Sequence, residues 1–355
     1  MVKKSGLKVQ KSYGEKIISS LKEFQILDKS LKIKKNEDFI FVPLEKFPSN
    51  EILNEIKRIR KDITIEELDF EERENDIKTL EKSLENKIGT KNLDKLPKSL
   101  DIIGDIAVIE LSQDIEMYKK EIGTAILSNI KKINTVLMKK SPISTKYRLR
   151  DYECIAGSDK MLTTHKEFGC EFAVDLSKVY FSPRLSFEHD RIASNVIDGE
   201  VIIDMFAGVG PFSILIAKRY ERIKVYAIDI NPAALKYLIK NIIHNKVKRK
   251  VTAIFGDAQY ISTKHLQNAA SRIIMNLPSE SFKYVRFACD ALANRGGIIH
   301  FYTFTDDSSL LEDKIKELKE EISSSNRNPT KILYAREIKE IAPRRKQIVI
   351  DVKII

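Results

Sequence analysis

From residue 201 the chain repeats one pattern: a short apolar run, a turn carrying Gly, Asp or Asn, then apolar positions three and four residues apart. The runs VIIDMF (201–206), KVYAIDI (224–230), KVTAIFGD (250–257), RIIMNLP (272–278) and GIIHFYTF (297–304) predict buried strands. Helices are predicted over 212–219 and 232–245, the second with Pro232 in its first turn. KILYA (331–335) and QIVIDV (347–352) predict two later strands. Strands that alternate with helices predict a parallel, doubly wound α/β sheet, with ligands at the carboxyl ends of its strands.

Upstream the pattern changes. GLKVQ (6–10) reads as a strand, and Ile17, Ile18, Leu21 and Phe24 have helical spacing. LKIKK (31–35) and DFIFVP (38–43) predict two strands joined at Asn36-Glu37. The charged stretch 66–87 reads as a solvated helix or linker. Further on, DIIGDIAVIEL (101–111) predicts one strand, 115–130 a helix, and KINTVLM (132–138) another strand. STKYRLRDYE (144–153) is expected to be extended, which would set Arg148 and Arg150 on one face. Residues 163–166 and 171–176 predict a pair of strands turning at 167–169.

Polar residues collect at the predicted carboxyl ends. Asp204 ends the first strand of the alternating region, followed by Gly208 and Gly210, where a missing Cβ would let a ligand approach the backbone. Asp229 ends the second strand and could accept both hydroxyls of a ribose. Asp257 ends the third, within reach of an adenine amino group, and Asn276-Leu277-Pro278 ends the fourth. The glycine turn is GxG, with Phe212-Ser213 where a dinucleotide fold would carry a third glycine. A nucleoside ligand without a diphosphate fits it better. The plainer alternative is that these aspartates only cap turns and helices.

Composition narrows the class. With 43% hydrophobic residues in 355, the chain can form two or three cores, so it is not a disordered protein. Three cysteines (Cys154, Cys170, Cys289) without a CxxC pair argue against a disulfide scaffold or a cysteine metal cluster. His165, His244, His265 and His300 have no ligand spacing either, so no metal is expected. The first residues are too polar for a signal peptide, and the most apolar stretch, 201–217, is broken by Asp204 and Pro211. A cytoplasmic protein that does not meet a membrane is the expectation. The net charge of +11 is uneven: residues 1–60 carry 14 basic and 8 acidic side chains, and 201–250 carry 10 and 3. Such blocks suit a polyanionic partner, although a lysine-rich composition gives the same count without one.

The segment VYFSPRLSFE (179–188), with DMFAGVGPF (204–212), Asp229-Ile-Asn-Pro and Asn276-Leu-Pro, resembles the archaeal and eukaryotic tRNA (guanine-N1)-methyltransferases, which modify position 37 beside the anticodon. GLKVQ, DKSLKI (28–33), DIIGDIA and YRLR (147–150) extend the resemblance over the chain. It implies a class I, Rossmann-like methyltransferase domain over 173–355, a small α+β tRNA-recognition domain over 1–80, and a middle α+β domain over 86–172 contributing to RNA and active site. S-adenosylmethionine would contact Asp204, Phe206, Gly208, Gly210, Asp229 and Asp257. Guanine N1 carries a proton at neutral pH, and Glu188 matches the base that would remove it. Arg148 would stabilise charge on O6, Asn276 would orient the guanine, and Tyr180, Arg184 and Pro278 would shape its pocket. Partners are then tRNA and cofactor, acting on a monomer.

Two departures and two alternatives accompany this reading. His189 stands where the family often has arginine, so Arg184 or Arg191 is expected to supply the missing charge. Asp190 is the other carboxylate near Glu188 and the second choice of base. A wybutosine-pathway transferase, moving an aminocarboxypropyl group or methylating the tricyclic intermediate, would share the cofactor. A non-catalytic RNA-binding protein could share the scaffold.

Overall fold

The computed structural model describes residues 1–355 apart from 25, 61, 73–75, 98, 143–146, 307–309 and 343. It divides into two compact units, Met1–Leu93 and Asp94–Ile355.

The first unit runs β1 (Val2–Gln10), α1 (Gly14–Glu23), β2 (Lys34–Lys35), β3 (Phe39–Pro43), α2 (Asn50–Ile59), β4 (Thr64–Phe70), α3 (Asp76–Ile88) and α4 (Thr90–Leu93). Its antiparallel sheet has the order β2-β3-β1-β4. Leu7 and Val9 of β1, Ile17 and Leu21 of α1 and Ile56 of α2 are buried together. The expected turn at Asn36 forms, and its side-chain oxygen accepts from the Asp38 and Phe39 amides. The charged stretch 66–87 is not one solvated helix. Its start belongs to β4, an edge strand whose Glu66 and Glu67 pair with Lys8 and Lys3 of β1. Charges on an edge strand cost little and discourage pairing with other chains.

The second unit begins with β5 (Asp101–Ile103) and β6 (Ile106–Ile109), then α5 (Gln113–Glu116), α6 (Lys119–Asn129), β7 (Thr135–Lys139) and β8 (Tyr152–Gly157). The expected single strand at 101–111 is thus a hairpin turning at Gly104-Asp105, and the expected helix at 115–130 is two. These strands form a sheet in the order β5-β6-β7-β8. Of the stretch 144–153, residues 144–146 lie outside the described residues. Arg148 has φ 58° in a turn ahead of β8, so it does not share an extended face with Arg150.

A hairpin follows, β9 (Leu162–Glu167) and β10 (Cys170–Asp175), then α7 (Ser186–Ser194). The alternating region comprises β11 (Val201–Asp204), α8 (Pro211–Arg219), β12 (Lys224–Asp229), α9 (Pro232–His244), β13 (Val251–Phe255), α10 (Ala258–Lys264), β14 (Arg272–Met275), α11 (Val285–Ala291), β15 (Gly297–Asp306), α12 (Leu311–Ser324), β16 (Pro329–Ala342) and β17 (Arg345–Ile354). The seven-stranded sheet has the order β13-β12-β11-β14-β15-β17-β16. Five strands are parallel as expected, but β17 runs antiparallel to both neighbours, so the sheet is mixed. Adjacent residues serve opposite faces: Ile202, Ile274 and Tyr302 enter one core, Ile203, Ile273 and Phe301 the other. Strand order reverses beside β11, which opens a crevice at the carboxyl edge.

Candidate active site

That crevice is a cleft lined by the turns after β11, β12, β13 and β14, by residues 180–182, and by Arg148. Phe206, Gly208, Asp229, Asp257, Asn276, Tyr180 and Arg148 all line it. Asp204, Gly210, Glu188, Arg184 and Pro278 do not.

The three aspartates have three different surroundings. Asp204 is fully buried, with Oδ2 accepting from Ser213 Oγ at 2.8 Å and Oδ1 without a partner. Burial and the nearby Asp229 raise its pKa to about 7. It braces the turn from beneath and does not face a ligand. Asp229 accepts from Gly208 N at 2.7 Å and Asn231 N at 2.8 Å, which aims its carboxylate along the cleft. Burial raises its pKa, and those two amides partly offset the rise. Asp257 caps α10 through Gln259 N at 2.7 Å and still lines the cleft. The capping alternative therefore holds for its backbone bond without removing it from the site.

The glycines also divide. A Cβ on Gly208 would meet nothing closer than Tyr180 O at 4.0 Å, so the missing atom is what leaves that part of the cleft free. A Cβ on Gly210 would lie 2.5 Å from Leu238 Cδ1, which makes this glycine a packing requirement. Apolar walls come from Ile230 and from Phe206, which meets Tyr284 edge-on at 4.9 Å. An adenosine fits this set: an apolar slot for the base, Asp229 with lone pairs for ribose hydroxyls, and an open backbone at Gly208.

At the other end, the Arg148 guanidinium lies over the Tyr180 ring at 4.8 Å, a contact that keeps its position while leaving its donors free. Asn276 Oδ1 accepts from Gln347 Nε2 at 3.4 Å, which turns its amino group the other way. Gln347, on β17, belongs to no motif and was not anticipated.

Glu188, in the first turn of α7, is 0% exposed and sits behind the cleft wall. Arg191 donates to both its oxygens at 2.8–3.2 Å, and Tyr302 Oη donates at 2.8 Å. Burial holds the Tyr302 hydroxyl well above its usual pKa, so it remains a donor. The polar chain continues inward: Arg191 to Asp351 at 2.5 Å, Asp351 to His300 at 2.7 Å, Arg272 donating to His300 Nε2 at 2.8 Å, and Arg272 to Glu200 at 2.6 Å; burial lowers the pKa of His300. Asp351 is held at about 2: burial alone would raise it, but His300 and Arg191 outweigh that.

His189, the next residue, lines the cleft. Its Nδ1 lies 2.6 Å from Glu167 Oε1, and its ring meets Phe212 edge-on at 4.5 Å. Burial alone would raise the Glu167 pKa, but the His189 hydrogen bond and the nearby His165 ring, 3.8 Å from its other oxygen, hold it at about 2. An ionised carboxylate only accepts, so the proton is on Nδ1. Nε2 has no protein partner. The expected replacement cations are occupied elsewhere: Arg191 by Glu188 and Asp351, Arg184 by Asp101 at 2.6 Å. Asp190 pairs with Arg219 and is no part of the cleft. Among the described residues no group of acidic, histidine and cysteine side chains could hold a metal ion. No helix among them is long and apolar enough to cross a membrane.

Comparison with known proteins gives three family matches in chain order. Residues 6–52 match the tRNA methyltransferase 5 N-terminal domain, 80–160 the TYW2 N-terminal domain, and 163–330 the TRM5/TYW2 methyltransferase domain. The tRNA (guanine(37)-N(1))-methyltransferase Trm5b of Pyrococcus abyssi is 37% identical over 98% of both chains. Its crystal structure superposes with a TM-score of 0.70, covering 99% of each chain at 36% identity. The aTrm5 structure in complex with tRNALeu gives 0.67 at 33% identity, covering 98% of this chain and 99% of that one. Methanocaldococcus jannaschii TYW2 in complex with AdoMet gives 0.56 at 26% identity, covering 72% of this chain and 99% of that one.

Proposed function

The chain belongs to the tRNA (guanine(37)-N(1))-methyltransferase family, and from that premise we propose how its cleft moves a methyl group from S-adenosylmethionine to N1 of guanine 37 in tRNA, with Glu188 as acceptor of the N1 proton. The observation that carries the reading is one cleft in which Gly208, Asp229 and Asp257 stand together with Arg148, Tyr180 and Asn276. The first three suit an adenosine and the second three a purine base. The cofactor supplies an electrophilic methyl on a sulfonium. Asp229 and Asp257 hold its nucleoside, and the apolar wall of Phe206 and Tyr284 excludes water from it. Asn276 orients the guanine. With the cofactor bound, its methyl would pass to guanine N1 while the bonding pair stays on sulfur, the N1 proton would pass to a Glu188 oxygen, and Arg148 donors would meet the charge gathering on O6. Glu188 is held by Arg191 and Tyr302 and does not line the cleft, so the step requires its carboxylate to turn from them toward the base. The three-part division at about 80 and 172 belongs to the same proposal, with the first part recognising the tRNA.

The wybutosine-pathway alternative is less well supported. The TYW2 structure covers 72% of the chain, whereas residues 6–52 match the tRNA methyltransferase 5 N-terminal domain. Labelled cofactor with tRNA transcripts carrying G or A at position 37 tests the reaction: label enters G37 tRNA as 1-methylguanosine and leaves A37 tRNA blank. Glu188→Gln keeps shape but loses basicity and one acceptor for Arg191, so, in a variant shown folded by thermal melt, single-turnover transfer drops by about 10²–10⁴ with cofactor and tRNA affinities nearly unchanged. A near-normal rate in that variant would remove Glu188 as the base.

A further inference from the structure

A second cavity adjoins the cleft, sharing Arg148, Tyr180, Phe181 and Ser182 with it. Its lining carries five cations, Lys139, Arg148, Arg150, Arg184 and Lys339, against three carboxylates, Asp101, Glu110 and Glu340. Arg184 is paired with Asp101 at 2.6 Å, and Glu110 takes both Lys139 at 3.1 Å and Arg150 at 4.0 Å. Two cations remain without a carboxylate among the described residues: Arg148, stacked on Tyr180, and Lys339 of β16. Lys339 is half-buried, and among the described residues it donates to Ser182 Oγ at 3.1 Å. Burial disfavours its ammonium and lowers its pKa; Tyr180 and Asp101 act the other way, while Arg184 and Arg148 add like-charge repulsion. A desolvated cation kept beside other cations is costly unless an anion completes the site. No motif drew attention to this lysine.

We propose that this cavity holds a phosphodiester of the RNA strand next to the target guanine, with Lys339 as its anchor. The inference rests on the tRNA-methylating reading and adds a contact to it. The phosphate charge meets the Lys339 ammonium beside Arg148, which lines both cavities and keeps donors for guanine O6, and the Ser182 hydroxyl can turn from Lys339 to donate to a phosphate oxygen. The shared Arg148–Tyr180 wall makes a neighbouring nucleotide of the same strand the natural source of that phosphate. Phosphate contacts of this kind set the register of the strand, so Lys339 is a binding residue for the RNA and takes no part in methyl transfer.

The test uses full-length enzyme and full-length tRNA. Lys339→Met should raise the tRNA concentration for half-maximal single-turnover rate about tenfold, with the saturated rate within about twofold of wild type. Cofactor affinity by calorimetry should not move. The slope of log affinity against log salt should shrink by about 0.7–0.9, the share of one phosphate. Lys339→Arg should retain most of the tRNA affinity. Wild-type enzyme is then assayed on ligated tRNAs with one neutral methylphosphonate at successive positions around nucleotide 37. One position should reproduce the loss, and Lys339→Met should lose nothing further there. Unchanged tRNA affinity and salt slope, a fall in saturated rate alone, a loss of cofactor affinity in a folded variant, or losses that add at every position would each overturn the proposal. If Lys339→Met does not fold, the wild-type scan decides, and insensitivity at every position beside nucleotide 37 overturns it. Failure of wild type to methylate G37 tRNA would instead refute the functional reading, while binding affinity and salt slope would still report on Lys339.

Discussion

At the scale of single residues, a strand-end position says that a side chain is near the cleft but not which way it points. Asp204 and Asp229 end adjacent strands, yet one braces the turn from below and the other lines the cleft. The glycine turn shows the same division and gives a test. Gly208 (φ 57°) and Gly210 (φ 93°) both adopt left-handed backbone, so alanine costs about 1–2 kcal/mol of strain at either. At Gly210 the new methyl also drives into Leu238 and Ile214, adding about 1–3 kcal/mol of overpacking. At Gly208 it projects into open cleft. Gly208→Ala should therefore lower cofactor affinity about tenfold or more with a modest loss of stability, and Gly210→Ala should show the larger drop in melting temperature. Calorimetry and thermal melts separate the two, and matched effects from both variants would contradict the division. Glu188, Arg184 and Pro278 were legible as a motif and illegible as geometry. Their partners Tyr302, Asp101 and Thr303 come from positions far along the chain, which no local pattern connects to them.

Elements of the alternating region were the most legible part, because an apolar run between helical patterns has few other solutions. Charged and edge elements were not. The acidic stretch before α3 pairs as β4 because the lysines of β1 lie across from it, a fact of tertiary structure invisible in its own composition. The turn carrying Arg148 was likewise hidden behind an alternation that looked extended. The β9–β10 hairpin was legible, but what holds it was not. Asn241 of α9 accepts from Ala173 N at 2.8 Å and donates to Ala173 O at 3.3 Å and Val209 O at 3.0 Å, tying hairpin, helix and glycine turn together. Asn241→Ala leaves these buried groups unpaired and should cost about 2–4 kcal/mol. Lys240→Ala, exposed on the same helix, should cost under about 0.5 kcal/mol. Amide exchange should quicken over 162–175 before it does in β11 or β12. Unaltered protection there would mean that the hairpin is held by its apolar contacts alone.

For the whole molecule, the first unit has its own sheet and its own core, built from Leu7, Val9, Ile17, Leu21 and Ile56, and the cleft is lined entirely by residues of the second unit. A variant lacking residues 1–93 should therefore bind S-adenosylmethionine within about twofold of the intact chain, since no group lining the cleft is removed. The cut falls after 93, because α3 and α4 belong with the first unit and a cut at 80 would split α3. RNA use should respond differently. Residues 1–60 carry 14 basic and 8 acidic side chains, and each phosphate they neutralise would contribute to affinity and to its decline with salt. Truncation should thus lower kcat/KM on full tRNA and flatten its salt dependence. If the first unit recognises parts of the tRNA beyond the anticodon arm, intact and truncated enzyme should differ far less on an isolated anticodon stem-loop. Equal kcat/KM on full tRNA would assign the first unit another task. A truncated protein that has lost cofactor affinity, while circular dichroism shows it folded, would mean that the cleft depends on the first unit after all.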